Sequence, residues 1–441
     1  MRKRYGLGIL LGVLLVANVS YGASDRELIV LVLVDALRPD HMGAYGYDKN
    51  TSPNLDRLAS EGTLYTRAYV NAPWTRPSTA SFLTGLNASR HGVETARDRL
   101  SSKVVTLTER LGEVGWKSAG FVANGNGGSL ARLQQGFDIF RDPTNAYTRK
   151  KRGKTYNGLP RGEFLVRKAL QHLSRSKAKK EFLFLFLVDP HDPYGAPPRL
   201  EKRFLGEHRG KVRRRASWEY NNNYSEAERR SMVALYDASI AYADEALGTF
   251  FDALKKRGLY DNATIIVSAD HGEGFGEHQF YLHAHHFWDE VIRVPVIIKG
   301  KGFSRAVDKR LTQSLDITRT IVDVAGASSA GLPGRSLLEP PSPGGWVISE
   351  YNEFGIHRQA IVGQRYKVIW QRPADAAWFD REVKKRKYFP SVSFDKEVIR
   401  VFDLEADPKE RVDLALSPPG EAKELLQILR DFVGKGEVEG S

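Results

Sequence analysis

The sequence predicts an α/β fold: a doubly wound, mainly parallel sheet flanked by helices, with a small C-terminal antiparallel sheet plus helix. Three observations predict it. Continuous apolar, β-branched runs recur along the chain, and such runs fit strands buried on both faces, as in parallel sheets. Helical stretches alternate with them at βαβ spacing. Past a Pro- and Gly-rich joint the texture changes to short alternating segments closed by one more helix.

The elements follow in order. Residues 28–34 read LIVLVLV and make the first strand. Residues 117–122, 182–188, 263–268 and 294–298 carry the same kind of run. Helices are expected over 52–61, 78–83, 107–114 and 225–256, with Pro77 marking the opening of the second. The stretch 141–180 is polar and basic, with Arg149, Lys150, Lys151 and Arg152 at its centre. Arg213, Arg214 and Arg215 form a second basic cluster, and both regions read as surface insertions. Pro340, Pro341, Pro343, Gly344 and Gly345 suggest a linker, dividing a catalytic α/β domain over 24–335 from an α+β subdomain over 336–441. In the latter, strands are expected at 346–350, 360–362, 366–371 and 398–402, and a helix over 420–433.

Composition narrows the function. The 441 residues suit one large α/β domain and a smaller one, and 41% hydrophobic residues can build a sizeable core. A net charge of +13 favours an anionic partner: a charged substrate, a membrane surface or a polyanion reached through the basic insertions. No nucleic-acid motif accompanies the basic clusters. With no cysteine, disulfides, thiolate metal sites and thiol nucleophiles are excluded. Arg2, Lys3 and Arg4 precede an apolar run over 7–19 and the small residues Ser20, Gly22 and Ala23. That is the layout of a secretory signal over 1–23, implying a secreted or periplasmic protein starting near Ala23 or Ser24. The run is short for a spanning helix, and an uncleaved anchor is the alternative.

In a doubly wound sheet the ligand sits beyond the carboxyl ends of the strands. Asp35 ends the first strand; Asp270 and His271 end the strand over 263–268. Thr75 precedes the helix marked by Pro77, and a helix start favours an anion. Two carboxylates, one imidazole and a hydroxyl oxygen form a coherent donor set for one divalent metal ion, better suited to zinc, manganese or iron than to calcium. Such an ion would lower the hydroxyl pKa of Thr75 and orient it for attack. Singly, Asp35 could be a strand-end charge, Thr75 a helix cap and His271 a satisfied core histidine.

The conjunction points further. VDALRPDHMGAYGY, TRPSTASFLTG followed by ASRHG, VDPHDPY, SADHGEGFGEHQFYLHAHHFWDEVIRVPVII and VFDLEADPKERVDL occur in that order. They resemble the marks of the sulfatase family within the alkaline phosphatase superfamily, from about Leu28 to Leu414. The resemblance implies that Asp35, Asp270 and His271 are metal ligands and that Thr75 stands at the nucleophile position. His191 would contact the transferred group or leaving oxygen, and His283 would lie near the leaving group. Asn124 and Arg76 are expected substrate contacts beside these two histidines. His278, His285 and His286 have less definite places.

Several positions depart from the family pattern. Thr75 replaces the cysteine or serine that becomes formylglycine, and oxidising a threonine would give a ketone instead. Thr79 stands where an arginine is usual, and Ala36 where calcium-binding members have a second aspartate. The glycine-lysine-tryptophan-histidine segment expected after Gly115 is missing, and Val122-Ala123-Asn124-Gly125 occurs instead. A threonine nucleophile resembles the phosphoethanolamine and phosphoglycerol transferases, and the Asp–His pair resembles phosphonate monoester hydrolases. The expectation is cleavage of phosphate-type esters, phosphodiester or phosphonate. Sulfate-ester hydrolysis is the alternative, and a degenerate anion-binding protein the third reading.

Overall fold

The computed structural model describes residues 25–143, 155–156, 159–216, 224–341, 344–353, 355–373 and 396–439. The expected leader over 1–23 and the basic residues 149–152 lie outside the described residues. Among the described residues, no helix is long and apolar enough to cross a membrane.

The main sheet has eight strands: β1 (Glu27–Val34), β2 (Thr63–Tyr69), β3 (Lys117–Val122), β4 (Ile139–Arg141), β5 (Lys180–Leu187), β6 (Thr264–Ser268), β7 (Val296–Lys299) and β8 (Ala306–Gln313). Their spatial order is β8-β2-β7-β6-β1-β5-β3-β4. The apolar run of β1 is buried from Leu28 onward, because parallel neighbours cover both its edges and helices cover both its faces. Leu33 pairs with Ser268, so β1 and β6 leave the sheet in register and deliver Asp35 and Asp270 side by side. Among the described residues of this sheet, only β7 runs antiparallel to its neighbours.

One group of helices packs together around the long Glu226–Lys256 helix: Pro53–Glu61, Gly162–Leu173 and Pro198–Leu205. A second group brings together Thr75–Thr84, Leu107–Glu113 and Ser314–Ala325. The long helix opens on a capping box, with the Ser225 side chain accepting from Glu228 N and the Glu228 side chain accepting from Ser225 N.

The C-terminal sheet is antiparallel throughout: β9 (Val347–Glu353), β10 (Ile356–Val362), β11 (Tyr366–Gln371) and β12 (Val398–Asp403). Leu425 and Leu429 of the Gly420–Glu439 helix bury against one of its faces, beside Ile361 and Val368. Tyr351, Ile356, Ala360 and Phe402 instead join the main core, and Asn71 Nδ2 donates to Ile348 O at 2.9 Å.

Two expectations change. The stretch 141–180 is not wholly a surface insertion, because Gly162–Leu173 is a helix with Leu165, Val166, Ala169 and Leu173 buried. Its buried residues recur every three to four positions, and Arg167 and Lys168 fall between them on the outward side. The helix expected over 78–83 begins three residues earlier and runs Thr75–Thr84, with Trp74 as its N-cap residue. Thr75 is therefore the first helical residue and not the cap. The arginines of the second basic cluster are all ion-paired: Arg213 with Glu228, Arg214 with Glu201 and Arg215 with Asp192.

Candidate active site

Beyond the carboxyl ends of β1 and β6, ligand atoms of Asp35, Asp270 and His271 lie within 4.8 Å of one another, all fully buried. His271 Nε2 is 3.5 Å from Asp35 Oδ1 and 3.4 Å from Asp270 Oδ2. His271 Nδ1 donates to Gly272 O at 2.8 Å. A carbonyl oxygen only accepts, so the proton sits on Nδ1 and Nε2 presents a lone pair. Asp35 Oδ1 and Asp270 Oδ2 have no hydrogen-bond partner among the described residues. Three buried electron-rich atoms thus converge on one point. That is costly unless a cation fills it, and the donor set fits a divalent ion.

The remaining oxygens hold these ligands in place. Asp270 Oδ1 accepts from Ala36 N at 3.3 Å and His271 N at 3.0 Å. Asp35 Oδ2 accepts from Asn124 Nδ2 at 3.1 Å. Ala36 has φ 61°, a left-handed backbone that turns the chain sharply behind Asp35. Tyr236 OH fixes this turn by donating to Ala36 O at 2.7 Å. Gly272 is required by a close approach: a Cβ there would lie 2.1 Å from Glu290 O.

Thr75 enters the cluster from the opposite side. Its Oγ1 is 3.2 Å from His271 Nε2, it is only 3% exposed, and it opens a ten-residue helix whose N-terminal field favours an anion. Thr79, one turn on, is buried, and its hydroxyl has no hydrogen-bond partner among the described residues.

His283 stacks on His271 with ring centroids 4.1 Å apart, and His191 meets His283 edge-on at 5.0 Å. His283 Nδ1 donates to Glu273 Oε1 at 2.9 Å, which fixes the orientation of the ring. His191 Nδ1 donates to Asp192 O at 2.5 Å.

Burial dominates the electrostatics. It raises Asp35 to about 6, with Asp270 adding to the rise, and pushes Asp270 and Glu273 each to about 7. Burial, then His283, push His271 down to about 3. Burial and then His191 hold His283 well below its ordinary value. For His191 burial opposes the charge, but Asp35 and Glu273 outweigh it and set the imidazole at about 9.

The structure therefore gathers Asp35, Thr75, Asp270, His271, His191 and His283 into one place. It uses two other expected residues differently. Asn124 spends its amide on Asp35 and, through Oδ1, on Asn126 N, so it braces the Asp35 carboxylate. The Arg76 guanidinium donates to the carbonyls of Ala96 and Asp98 and to Asn126 Oδ1, bracing a neighbouring loop. The three less definite histidines point elsewhere: His278 to Glu290, His285 to Tyr351 OH, and His286 against Phe280. Glu273 was missed by the sequence reading. Its signal was a carboxylate two residues beyond a ligand histidine, in a loop that also carries His283.

The sequence model of the sulfatase family matches residues 27–327. A multifunctional alkaline phosphatase superfamily protein of Trinickia caryophylli is 26% identical, covering 93% of this chain and 94% of its own length. A choline-sulfatase of Rhizobium meliloti is 24% identical, covering 93% and 86%. The crystal structure of a phosphonate monoester hydrolase of Agrobacterium radiobacter has a TM-score of 0.72 at 17% identity, covering 94% of this chain and 96% of that chain. At that identity the likeness speaks for the fold.

Proposed function

The chain belongs to the sulfatase family of ester hydrolases, and from that premise we propose that it is an exported, metal-dependent enzyme cleaving phosphate-type esters, phosphodiester or phosphonate, through Thr75. The observation that carries this reading is the Thr75 hydroxyl at a helix N-terminus, 3.2 Å from His271 Nε2 and facing the Asp35–Asp270 pair.

Asp35, Asp270, His271 and Thr75 Oγ1 would hold one divalent ion, zinc, manganese or iron before calcium, which supplies the positive charge that acidifies the hydroxyl and steadies a developing oxyanion. Thr75 Oγ1 attacks phosphorus in line as the bond to the leaving oxygen breaks. His191 is placed to hand that oxygen a proton. His283, oriented by Glu273, keeps Nε2 for the water or alcohol that opens the phosphothreonine.

Threonine favours phosphorus over sulfur on chemical grounds. A sulfated threonine lacks the geminal hydroxyl that expels sulfate from formylglycine, whereas a phosphothreonine opens to an incoming oxygen nucleophile. Thr79, in place of an arginine, also leaves a sulfate group with one cationic contact fewer. The basic, apolar leader over 1–23 supports export. Sulfate-ester hydrolysis is the second reading, favoured by the sulfatase names among the relatives, with water or unmodified Thr75 as the attacking group.

Turnover of bis-p-nitrophenyl phosphate and p-nitrophenyl sulfate, on protein loaded in turn with zinc, manganese and calcium, separates the readings. Faster phosphodiester cleavage is expected, on zinc or manganese. A preference for the sulfate ester on every metal would overturn the phosphorus assignment.

A further inference from the structure

His283 is presented to the catalytic cluster by a strained turn. His285 N donates to His283 O at 3.2 Å, and the residue between them, Ala284, has φ 82°. A hydrogen bond from residue i+2 back to residue i about a left-handed centre is the rare, strained form of the γ-turn. Leu282, just before His283, is also left-handed at φ 71°, so strained residues flank His283 on both sides. Such a backbone persists only where the surroundings hold it. On the near side they do so through Glu273, which accepts from His283 Nδ1 at 2.9 Å, and through Pro73 O, which accepts from Ala284 N at 3.0 Å.

The far side is held by the C-terminal sheet. Tyr351 on β9 lies opposite Arg358 on β10, and Arg358 lies opposite Gln371 on β11. Directly opposed residues put their side chains on one face, so these three buried residues form a row across the sheet. The row grips His285 twice. Tyr351 OH is 2.6 Å from His285 Nδ1, and Arg358 Nη1 donates to His285 O at 2.8 Å. Gln371 Oε1 accepts from Arg358 Nε at 2.7 Å and so fixes the guanidinium in its turn. Lys367, also on β11 and fully buried, donates to Phe287 O at 2.8 Å and pins the chain two residues further on. Hydrogen bonds from such cations are stronger than neutral ones.

We propose that Arg358 and Tyr351 are positioning residues for the reaction: by gripping His285 they hold the strained turn at Ala284 and so set where His283 stands against His271 and Thr75. The proposal rests on the ester-hydrolase reading of the cluster, in which His283 serves the oxygen nucleophile that opens the phosphothreonine. On this account the C-terminal sheet acts on the rate of that step and not on the binding of the ester.

The test compares wild type, Arg358→Met, Tyr351→Phe and Arg365→Gln on bis-p-nitrophenyl phosphate and p-nitrophenyl sulfate, each protein loaded with zinc or manganese. Methionine keeps an apolar stem in place of Arg358 and drops its donors; phenylalanine drops one oxygen. Arg365, beside β11, pairs with Asp403 at 2.6 Å and serves as the control for a general weakening of this sheet. Arg358→Met should lose roughly 10–100-fold in kcat. Tyr351→Phe should lose about fivefold, the worth of one neutral hydrogen bond. Both should keep their metal content and a KM within about twofold of wild type, while Arg365→Gln keeps its kcat. Without metal, hydrogen exchange at the Ala284 and His285 amides should be faster in Arg358→Met than in wild type and unchanged in Arg365→Gln. Wild-type kcat in both Arg358→Met and Tyr351→Phe, or an equal loss in Arg365→Gln, would overturn the positioning role alone. Should Arg358→Met fail to fold, Tyr351→Phe decides by itself. Absence of turnover by the wild type on either ester would remove the hydrolase reading and the positioning role with it.

Discussion

Glu273 shows how the placing of His283 depends on a carboxylate behind it. Its carboxylate holds His283 Nδ1 at 2.9 Å and so decides which ring nitrogen faces the reaction. Glu273→Gln keeps the shape but weakens that hold. It should lower kcat roughly 10–100-fold while the metal content of the purified protein is kept. Steady-state kinetics paired with metal analysis checks this, and an unchanged kcat would remove Glu273 from the account. Asp35, Thr75, Asp270, His271, His191 and His283 were legible in the sequence, since each stands at a strand end, a helix start or in an ordered motif. The roles of Asn124 and Arg76 were not. Their partners are side chains and carbonyls brought near only by folding, such as Asp35 for Asn124 and Ala96 for Arg76. A polar residue beside a nucleophile looks the same in sequence whether it binds substrate or braces a loop.

At the scale of elements, the strands read most easily were those buried on both faces. The runs of β1 and β5 are long and apolar because parallel neighbours flank each of them, and β3, also flanked by parallel strands, is buried from Ser118 onward. β8, at the edge, reads AVDKRLTQ and buries only Thr312 fully, so it leaves no such run. The helix Ser314–Ala325 was likewise hidden, because Ile, Thr and Val dominate it and these residues favour strands. Its helical state comes from packing, with Leu315, Ile317, Ile321 and Val322 buried.

The joint between the two sheets carries a pH dependence. Glu350, on β9, accepts from Ser89 N and Oγ at 3.2 Å each, and burial raises its carboxyl to about 7. A carboxyl raised in the folded state contributes stability below its unfolded pKa and loses it as pH rises through the folded value. The stability difference between wild type and Glu350→Gln should therefore shift against the wild type from about pH 5 to about pH 8, read by urea unfolding. A difference flat across that window would contradict the burial argument.

Across the whole molecule, the two sheets and the Asp35–Asp270–His271 cluster form one system. Asp35 and Asp270 repel each other in a buried space, which a cation relieves. Without metal, Asp270→Asn should be at least as stable as the wild type, because it removes that repulsion. With zinc or manganese at about a hundred times Kd, the wild type should gain about 2.7 kcal/mol and the variant much less. Thermal unfolding with and without metal reads both effects, and equal stabilisation of the two proteins would place the ion elsewhere. The net charge of +13 points toward anionic substrates.

The central claim is that Thr75 is the nucleophile of a metal-assisted esterase. The most direct test is phosphodiester turnover by wild type, Thr75→Ser and Thr75→Ala at matched metal occupancy. Thr75→Ser, which keeps the hydroxyl, should retain measurable turnover, while Thr75→Ala should lose at least about a thousandfold in kcat. Wild-type turnover in a metal-loaded Thr75→Ala protein would contradict the account.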